Sequence, residues 1–275
     1  MTQDKPPAKH SSEAGSRRVL EPVLAELKQG DGVEAVRLFG DALDRGVVPV
    51  KSDLLRWLAE TIGKQATVRL ISAYARHPCF YCKKGLEPCE ACHGSGHSGG
   101  ANLCENCLTT GFARCDFCDG AGLATYNAIP EALRFPAALD RIKIAAKTLT
   151  NLLDQPVPKP RFDRARQCVK QSVQRLFEMN RLMGVFENAL VLVKSLEPSG
   201  ASPPPLREKT MTICVRSARR GRKRICELLQ CMAACESYEA KSAGSKPPAR
   251  KLAEKRAALF GSLAKSVSTF AGTAL

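Results

Sequence analysis

The sequence predicts a mainly α-helical protein, with a helical N-terminal unit and a helical C-terminal bundle on either side of a small cysteine-rich segment. Apolar residues recur at steps of three and four over most of the chain, which is the spacing of one helix face. Aromatic residues make up 5% of the 275 residues, and strand-like alternation is scarce. Eight of the 13 cysteines lie between residues 79 and 118, in a stretch short of aliphatic side chains. That stretch cannot build a hydrophobic core of its own, so we expect metal to replace one.

The N-terminal quarter is expected to form a helical unit over residues 16–76, behind a flexible tail of residues 1–15. A first amphipathic helix ends at Gly30, a typical helix-terminating residue. Asp31 and Glu34, three residues apart, predict a capping box at the start of a second helix.

The second helix is expected to stop near Gly46. Pro49 breaks the chain after it, and Ser52 or Asp53 can cap a third helix. This third helix is expected to run unbroken from Leu54 to Ile71.

The C-terminal half divides by composition into a helical hairpin (126–197), a Pro-rich linker (198–205) and a basic helical segment (206–275). The clearest helix runs roughly from Arg161 to Leu196, where apolar residues keep the three- and four-residue spacing. Trp57 and the phenylalanines fall within such patterns and are expected in the core.

Positive charge is concentrated at the C-terminal end of the chain. The net charge of the chain is +15. Residues 206–275 contain 15 basic and 5 acidic residues and therefore carry a net charge of +10. The cysteine-rich part, residues 77–125, has a net charge of −2. A polyanionic partner such as RNA is therefore expected to contact the C-terminal end.

The densest basic run supplies five candidate polyanion-binding residues: Arg219, Arg220, Arg222, Lys223 and Arg224. These residues are equally compatible with phosphate or acidic-protein binding and with a solvated helix face. Tyr238 is the only aromatic residue between positions 187 and 259. Because no aromatic platform accompanies the run, the pattern favours a nonspecific polyanion or an acidic protein surface over sequence-specific RNA reading.

The clustered cysteines form four Cys-x-x-Cys pairs: Cys79/Cys82, Cys89/Cys92, Cys104/Cys107 and Cys115/Cys118. Two intervening residues allow a tight turn to bring both sulfurs to one ion, and two pairs complete a tetrahedron. The spacing therefore predicts two closed, all-cysteine sites that hold two Zn²⁺ ions.

Glycines follow these pairs in a recurring pattern, Cys-x-x-Cys-x-Gly-x-Gly. Residues 89–96 and 115–122 carry it in full, whereas the pair at Cys104 keeps only the later Gly111. The pair at Cys79 has Gly85, which is out of register by one residue. This pattern resembles the cysteine-rich zinc-finger domain of DnaJ-type co-chaperones, over about residues 79–122 alone.

The resemblance implies a small zinc-stabilised β-hairpin finger over residues 77–125, with its metal ligands nested. In that order Cys79, Cys82, Cys115 and Cys118 hold the first zinc, and Cys89, Cys92, Cys104 and Cys107 hold the second. Sequential pairing of neighbouring pairs remains the alternative. The resemblance also implies a surface that binds unfolded or partner polypeptides.

A J domain would need a His-Pro-Asp tripeptide between two helices. The only His-Pro pair in the sequence, His77 and Pro78, is followed by Cys79, so a J domain is not expected. His93 and His97 lie beside the second pair and are expected to be bystanders, since eight cysteines already complete both sites.

The five remaining cysteines are expected to be small buried residues in helix packing: Cys168, Cys214, Cys226, Cys231 and Cys235. The alternative is a soft-metal site, such as one for copper(I), at Cys231 and Cys235, which are four residues apart on one helix face.

The function expected from these patterns is that of a non-enzymatic zinc protein, a chaperone-like or scaffolding adaptor that binds polypeptides. The first alternative is an RNA- or ribosome-associated factor docked through the basic segment, and the second is a thiol–disulfide exchange helper. No catalytic constellation stands out. No apolar run is long enough to cross a membrane and no apolar signal core follows Met1, so a cytoplasmic, reducing location without a membrane partner is expected.

Overall fold

The computed structural model describes residues 13–44, 54–97, 103–107, 109–196, 204–242 and 247–273. Within these ranges the chain forms eight α-helices and one two-stranded antiparallel sheet, which confirms the mainly α-helical class. The helices are α1 (Glu13–Gln29), α2 (Gly32–Asp44), α3 (Leu54–Ile62), α4 (Lys64–Arg76), α5 (Glu131–Asp154), α6 (Ala165–Ser195), α7 (Pro204–Lys241) and α8 (Pro247–Thr273). The strands are β1 (Leu86–Pro88) and β2 (Phe112–Arg114). None of the described helices combines the length and the apolar character that a membrane span requires.

The chain divides into two compact units. The first unit contains α1 to α4 together with residues 126–140, which include the start of α5. The second unit contains residues 78–125, the remainder of α5, and helices α6 to α8. The cysteine segment, as we call residues 78–125, thus shares one compact unit with the three long C-terminal helices.

The start of the first unit follows the sequence pattern closely, apart from the position where α1 begins. Helix α1 begins at Glu13, so the last three residues of the expected tail are helical. It ends as expected before Gly30, whose φ of +84° takes the chain out of the helix. Asp31 then caps α2, because its Oδ1 accepts hydrogen bonds from the amides of Val33 and Glu34, both at 3.0 Å. Glu34 pairs with the Arg37 guanidinium rather than reaching back to Asp31, so only half of the expected capping box forms.

The expected single helix from Leu54 to Ile71 is wrong. The structure has two helices there, α3 and α4, separated by Gly63 at a φ of +85°. A left-handed residue cannot continue a right-handed helix, and glycine adopts that conformation without steric cost. The Gly63 carbonyl then accepts both the amide and the hydroxyl of Thr67, each at 3.1 Å, which fixes the first turn of α4.

Helix α4 is anchored in the core of the first unit by Tyr74. Its side chain is fully buried, and its hydroxyl donates a hydrogen bond to the carbonyl of Val36 in α2, at 2.9 Å. Burial raises the pKa of Tyr74 well above its ordinary value, so the hydroxyl remains a donor.

Prolines mark the N-terminal ends of the last two helices rather than breaks between them. Helix α7 begins at Pro204, inside the expected linker, and α8 begins at Pro247, inside the expected basic helical segment. Proline has no amide proton, but amides in the first turn of a helix have no hydrogen-bond partner within the helix, so nothing is lost there. Its fixed φ also suits the first helical position. Helix α6 begins at Ala165, after a short 3₁₀ turn over Phe162–Arg164, and ends at Ser195.

Helices α6 and α7 approach closely at Gly221, whose backbone lies against the side chain of Met183. No side chain larger than a hydrogen atom fits there without displacing that methionine. Around this point both helices contribute fully buried large side chains: Met179, Leu182, Phe186, Leu228 and Met232.

Not every phenylalanine lies in the core. Phe80, Phe112, Phe117 and Phe162 are exposed, which corrects the expectation that all of them fill helical patterns. Trp57 is half-buried. The expectations for Gly46, Pro49, Ser52, Asp53 and residues 198–203 fall outside the described residues.

Candidate metal centre

The eight clustered cysteines form two groups of four sulfur atoms. The first group contains Cys79, Cys82, Cys115 and Cys118, and the second contains Cys89, Cys92, Cys104 and Cys107. Within each group all four sulfurs lie within 4.8 Å of one another, and every one of these cysteines except the half-buried Cys82 is buried. The order is nested, so the sequential alternative is not the arrangement of this fold.

The two-stranded sheet explains the nested order. Strand β1 pairs antiparallel with β2, with Glu87 opposite Ala113. Antiparallel pairing places the end of one strand beside the start of the other. The amide of Cys89, directly after β1, donates to the carbonyl of Gly111 before β2, at 2.9 Å. At the opposite end the amide of Cys115 donates to the carbonyl of Gly85, also at 2.9 Å.

The sulfur spacing fits a tetrahedral ion. The distances between Sγ atoms are 3.6 Å for Cys82–Cys118, 3.8 Å for Cys89–Cys104 and 3.6 Å for Cys92–Cys107. A tetrahedron with zinc–sulfur bonds of about 2.3 Å has sulfur–sulfur edges of about 3.8 Å. Both groups therefore have the donor set and the dimensions of a four-thiolate metal site.

Each pair receives one backbone hydrogen bond on its second sulfur. The donors are the amides of Gly85 to Cys82, Gly96 to Cys92, Gly111 to Cys107 and Gly122 to Cys118, at distances from 3.2 to 3.3 Å. Amide donors of this kind favour the thiolate and orient it toward an ion. The two pairs with incomplete glycine patterns keep this hydrogen bond, because the glycine that donates it, Gly85 or Gly111, is still present.

The other glycine position is left-handed in all four pairs, whether or not glycine occupies it. Gly94 and Gly120 have φ values of +80° and +72°, and Lys84 and Thr109 hold the same position at +56° and +66°. A β-branched residue in this region is a steric outlier. The backbone path is therefore kept where the glycine pattern is lost, at the expense of local strain.

Without a bound ion, the thiols within one group have different pKa values. In the second group, burial and the neighbouring thiols raise the pKa of Cys89, and they raise that of Cys107 to about 12. Burial opposes ionisation of Cys92 as well, but the Gly96 amide and the neighbouring thiols bring its pKa down to about 6. Four adjacent thiols cannot all ionise without a cation, so metal binding has to release protons.

The first group is docked directly onto helix α6. A Cβ atom at Gly184 would lie 2.5 Å from the carbonyl oxygen of Asp119 and 3.0 Å from the amide nitrogen of Ala121. The side-chain amide of Asn188, one helical turn further on, donates to the carbonyl of Cys118 at 3.0 Å. The turn that supplies two sulfurs of the first group therefore rests on the backbone of α6.

An ionic network surrounds this contact. Arg114 of β2 lies 3.6 Å from Glu187 of α6 and 3.6 Å from the Asp119 carboxylate. Glu187 also pairs with Arg222 of α7, at 2.9 Å. The network joins the cysteine segment to α6 and α7. Its Glu187–Arg222 pair, with side chains 30% and 20% exposed, is screened less than an open surface pair, whereas Asp119 is exposed.

The second group lies beside helix α8. An open cleft of about 680 Å³ lies beside its turns, lined by Ala91, Glu105 and Asn106 on one side and by Lys255, Ala258 and Leu259 of α8 on the other. His93 and His97 lie nearby, but neither belongs to either sulfur group. The ring of His97 instead bonds the carbonyl of Ser95 through Nδ1, at 3.0 Å.

Four of the remaining cysteines are buried in helix packing, and Cys226 is half-buried. Cys168, Cys231 and Cys235 share one apolar cluster between α6 and α7. The Cys231 thiol donates to the carbonyl of Pro158 at 2.9 Å, and burial followed by the neighbouring thiols raises the pKa of Cys235 to about 12. Among the described residues these three cysteines do not form a group that could hold one metal ion together.

The five basic candidates on α7 do not share one role. Arg222 pairs with Glu187, and Arg224 donates to the carbonyls of Leu153 and Gln155, at 2.8 and 2.7 Å. Their side chains are 20% and 17% exposed, so both serve the interior of the unit. Arg219, Arg220 and Lys223 are exposed, and so is Arg216, which lies outside the dense basic run. Helical spacing places these four on one face, and a periodic count along α7 would have found it.

Comparisons of the chain with protein-family models, with curated protein sequences and with solved structures gave no match.

Proposed function

We propose that the two sulfur groups hold two structural Zn²⁺ ions and that the protein is a non-enzymatic, chaperone-like or scaffolding adaptor. Zinc is the metal we infer, because tetrahedral all-thiolate sets of these dimensions suit its borderline-soft character. Four thiolates fill its coordination shell, so no position remains for an activated water or a substrate. The nested order and the short hairpin are what a DnaJ-type finger implies, which supports assigning the cysteine segment to that type.

The observation that carries the adaptor proposal is the exposure of large apolar side chains on the cysteine segment. Phe80, Tyr81, Phe112 and Phe117 are between 47% and 67% exposed. Concentrated apolar exposure of this kind marks surfaces that bind other chains. The docking on α6 holds that surface on a rigid support, and a pre-ordered surface loses less entropy on binding.

A light-scattering assay with a heat-unfolding client enzyme tests this proposal. We expect the zinc-loaded full chain to suppress client aggregation, to act equally well at low and high salt, and to lose the effect after chelation. Failure to suppress aggregation at a tenfold molar excess over the client would contradict an adaptor for unfolded chains. The thiol–disulfide alternative is less favoured, because seven of the eight sulfurs are buried.

A second candidate function, binding of RNA or another polyanion, is favoured by the exposed basic face of α7. Arg216, Arg219, Arg220 and Lys223 form this face. Changing all four to glutamine should weaken binding of a single-stranded RNA, and should reduce the slope of log affinity against log salt by up to about 3. The matched control is R250Q/K251Q/K255Q/K265Q on α8, which removes four exposed positive charges from another helix. Equal loss in both variants would mean that total charge, rather than this face, governs binding.

A further inference from the structure

The two sulfur groups carry different side chains at their tips. The two residues between the cysteines of each pair, which we call its tip, are exposed in all four pairs. In the first group these positions hold Phe80, Tyr81, Asp116 and Phe117, and in the second they hold Glu90, Ala91, Glu105 and Asn106. Two metal sites of the same construction therefore present one aromatic end and one polar, acidic end.

The aromatic end forms a substantial apolar surface. Phe80, Tyr81 and Phe117 are 67%, 65% and 49% exposed. The rings of Tyr81 and Phe117, from different turns, lie with centroids 4.1 Å apart, so the two turns contribute to one patch. Three such rings present on the order of 350 Å² to solvent. That is comparable to the largest apolar patch of a typical monomer, which is often functional.

Charge around the patch argues against a nucleic acid as its occupant. Lys83 and Lys84 are exposed beside it, and so are Asp116 and Asp119, which leaves the rim without net charge. A zinc ion with four thiolates would add a net negative charge directly beneath. Phosphates gain nothing from such a rim, whereas an apolar peptide segment buries its side chains against the rings at no electrostatic cost.

We propose that the aromatic tip, defined as Phe80, Tyr81 and Phe117, is the surface on which this protein binds uncharged apolar segments of non-native polypeptides. The proposal rests on the adaptor function above and narrows it to one end of the cysteine segment. The side chains at the tip of the second group do not take part.

The test measures binding of two fluorescent 12-residue peptides to the full zinc-loaded chain. One peptide is rich in Leu and Phe, and the other has serine at those positions. The tip variant is F80A/Y81A/F117A, and the matched control is E90A/E105A, at exposed equivalent positions in the turns of the second group. A zinc content and an unfolding temperature equal to those of the natural chain establish that both variants fold.

We expect the apolar peptide alone to bind the natural chain and the control equally, and to bind the tip variant at least about tenfold more weakly. Equal binding by the tip variant would overturn this inference while leaving the adaptor function standing. No peptide binding by the natural chain would overturn both. A labelled single-stranded oligouridine serves as a third probe, and if it bound through the tip while the peptide did not, the surface would be one that reads nucleic acid.

Discussion

At the scale of single residues, the cysteine segment depends on backbone conformations that few side chains tolerate. Gly111 has a φ of +79°, and a Cβ atom there would collide with the carbonyl of Gly94. Thr109 holds a comparable left-handed conformation with a branched side chain, although glycine stands at this position in two of the other pairs. Substitutions at Thr109 and Gly111, two residues apart in one turn, can therefore test whether the left-handed backbone there is strained.

Thr109→Gly should stabilise the metal-loaded protein. The left-handed region costs a residue with a Cβ atom about 1–2 kcal/mol. Glycine also raises the conformational entropy of the unfolded chain, which offsets part of that gain in stability. We therefore expect the free energy of unfolding to rise by roughly 0.5–1 kcal/mol. Chemical denaturation in the presence of zinc measures it.

Gly111→Ala is the opposing control and should cost roughly 1–3 kcal/mol, because both its φ and its space exclude a methyl group. A Thr109→Gly variant less stable than the natural chain would show that the threonine is not strained there.

The residue scale also marks the limit of what the sequence could predict. The prediction that eight cysteines would form two groups of four followed from spacing, because Cys-x-x-Cys geometry is local. The nested order did not follow from spacing, since it depends on the pairing of β1 with β2, two three-residue strands too short to be recognised. The inward roles of Arg222 and Arg224 were equally invisible, because their partners lie 35 and about 70 residues away along the chain.

At the scale of the elements, helix α6 is the support of the first sulfur group. It approaches the cysteine segment at Gly184, which reads in the sequence as an unremarkable residue within a helix. Glycine lowers helix stability by about 1 kcal/mol relative to alanine, so a glycine in a helix interior calls for a packing reason. The structure supplies the reason in the carbonyl of Asp119, which lies where a Cβ atom would be.

Gly184→Ala should therefore destabilise the second unit although it improves helix propensity. A Cβ atom 2.5 Å from the Asp119 oxygen forces the turn of the first group away from α6, at a cost of about 1–3 kcal/mol. Gly261→Ala in α8 is the matched control, because open space surrounds it. The control should gain up to about 1 kcal/mol. Thermal unfolding of both variants measures the difference, and an equal gain in both would contradict docking of the segment on α6.

At the scale of the whole molecule, a cysteine segment without an apolar core shares a compact unit with three long helices. Helix existence and type were predictable, because the apolar spacing persists over many turns. The break at Gly63 and the starts of α7 and α8 at prolines were not, since glycine and proline act differently at helix ends and in helix interiors. The second unit combines sequence-distant segments, and a linear division by composition could not have found that.

Metal content is the quantity on which this account depends most. Metal analysis of the purified full chain, combined with X-ray absorption at the zinc edge, measures both the number of ions and their ligands. We predict two zinc ions per chain, each bound by four sulfurs at about 2.3 Å. In Cys104→Ser one of those ions should be lost or should acquire an oxygen ligand. Fewer than about two ions per chain, or nitrogen or oxygen ligands in the natural protein, would contradict the assignment of two closed four-cysteine sites.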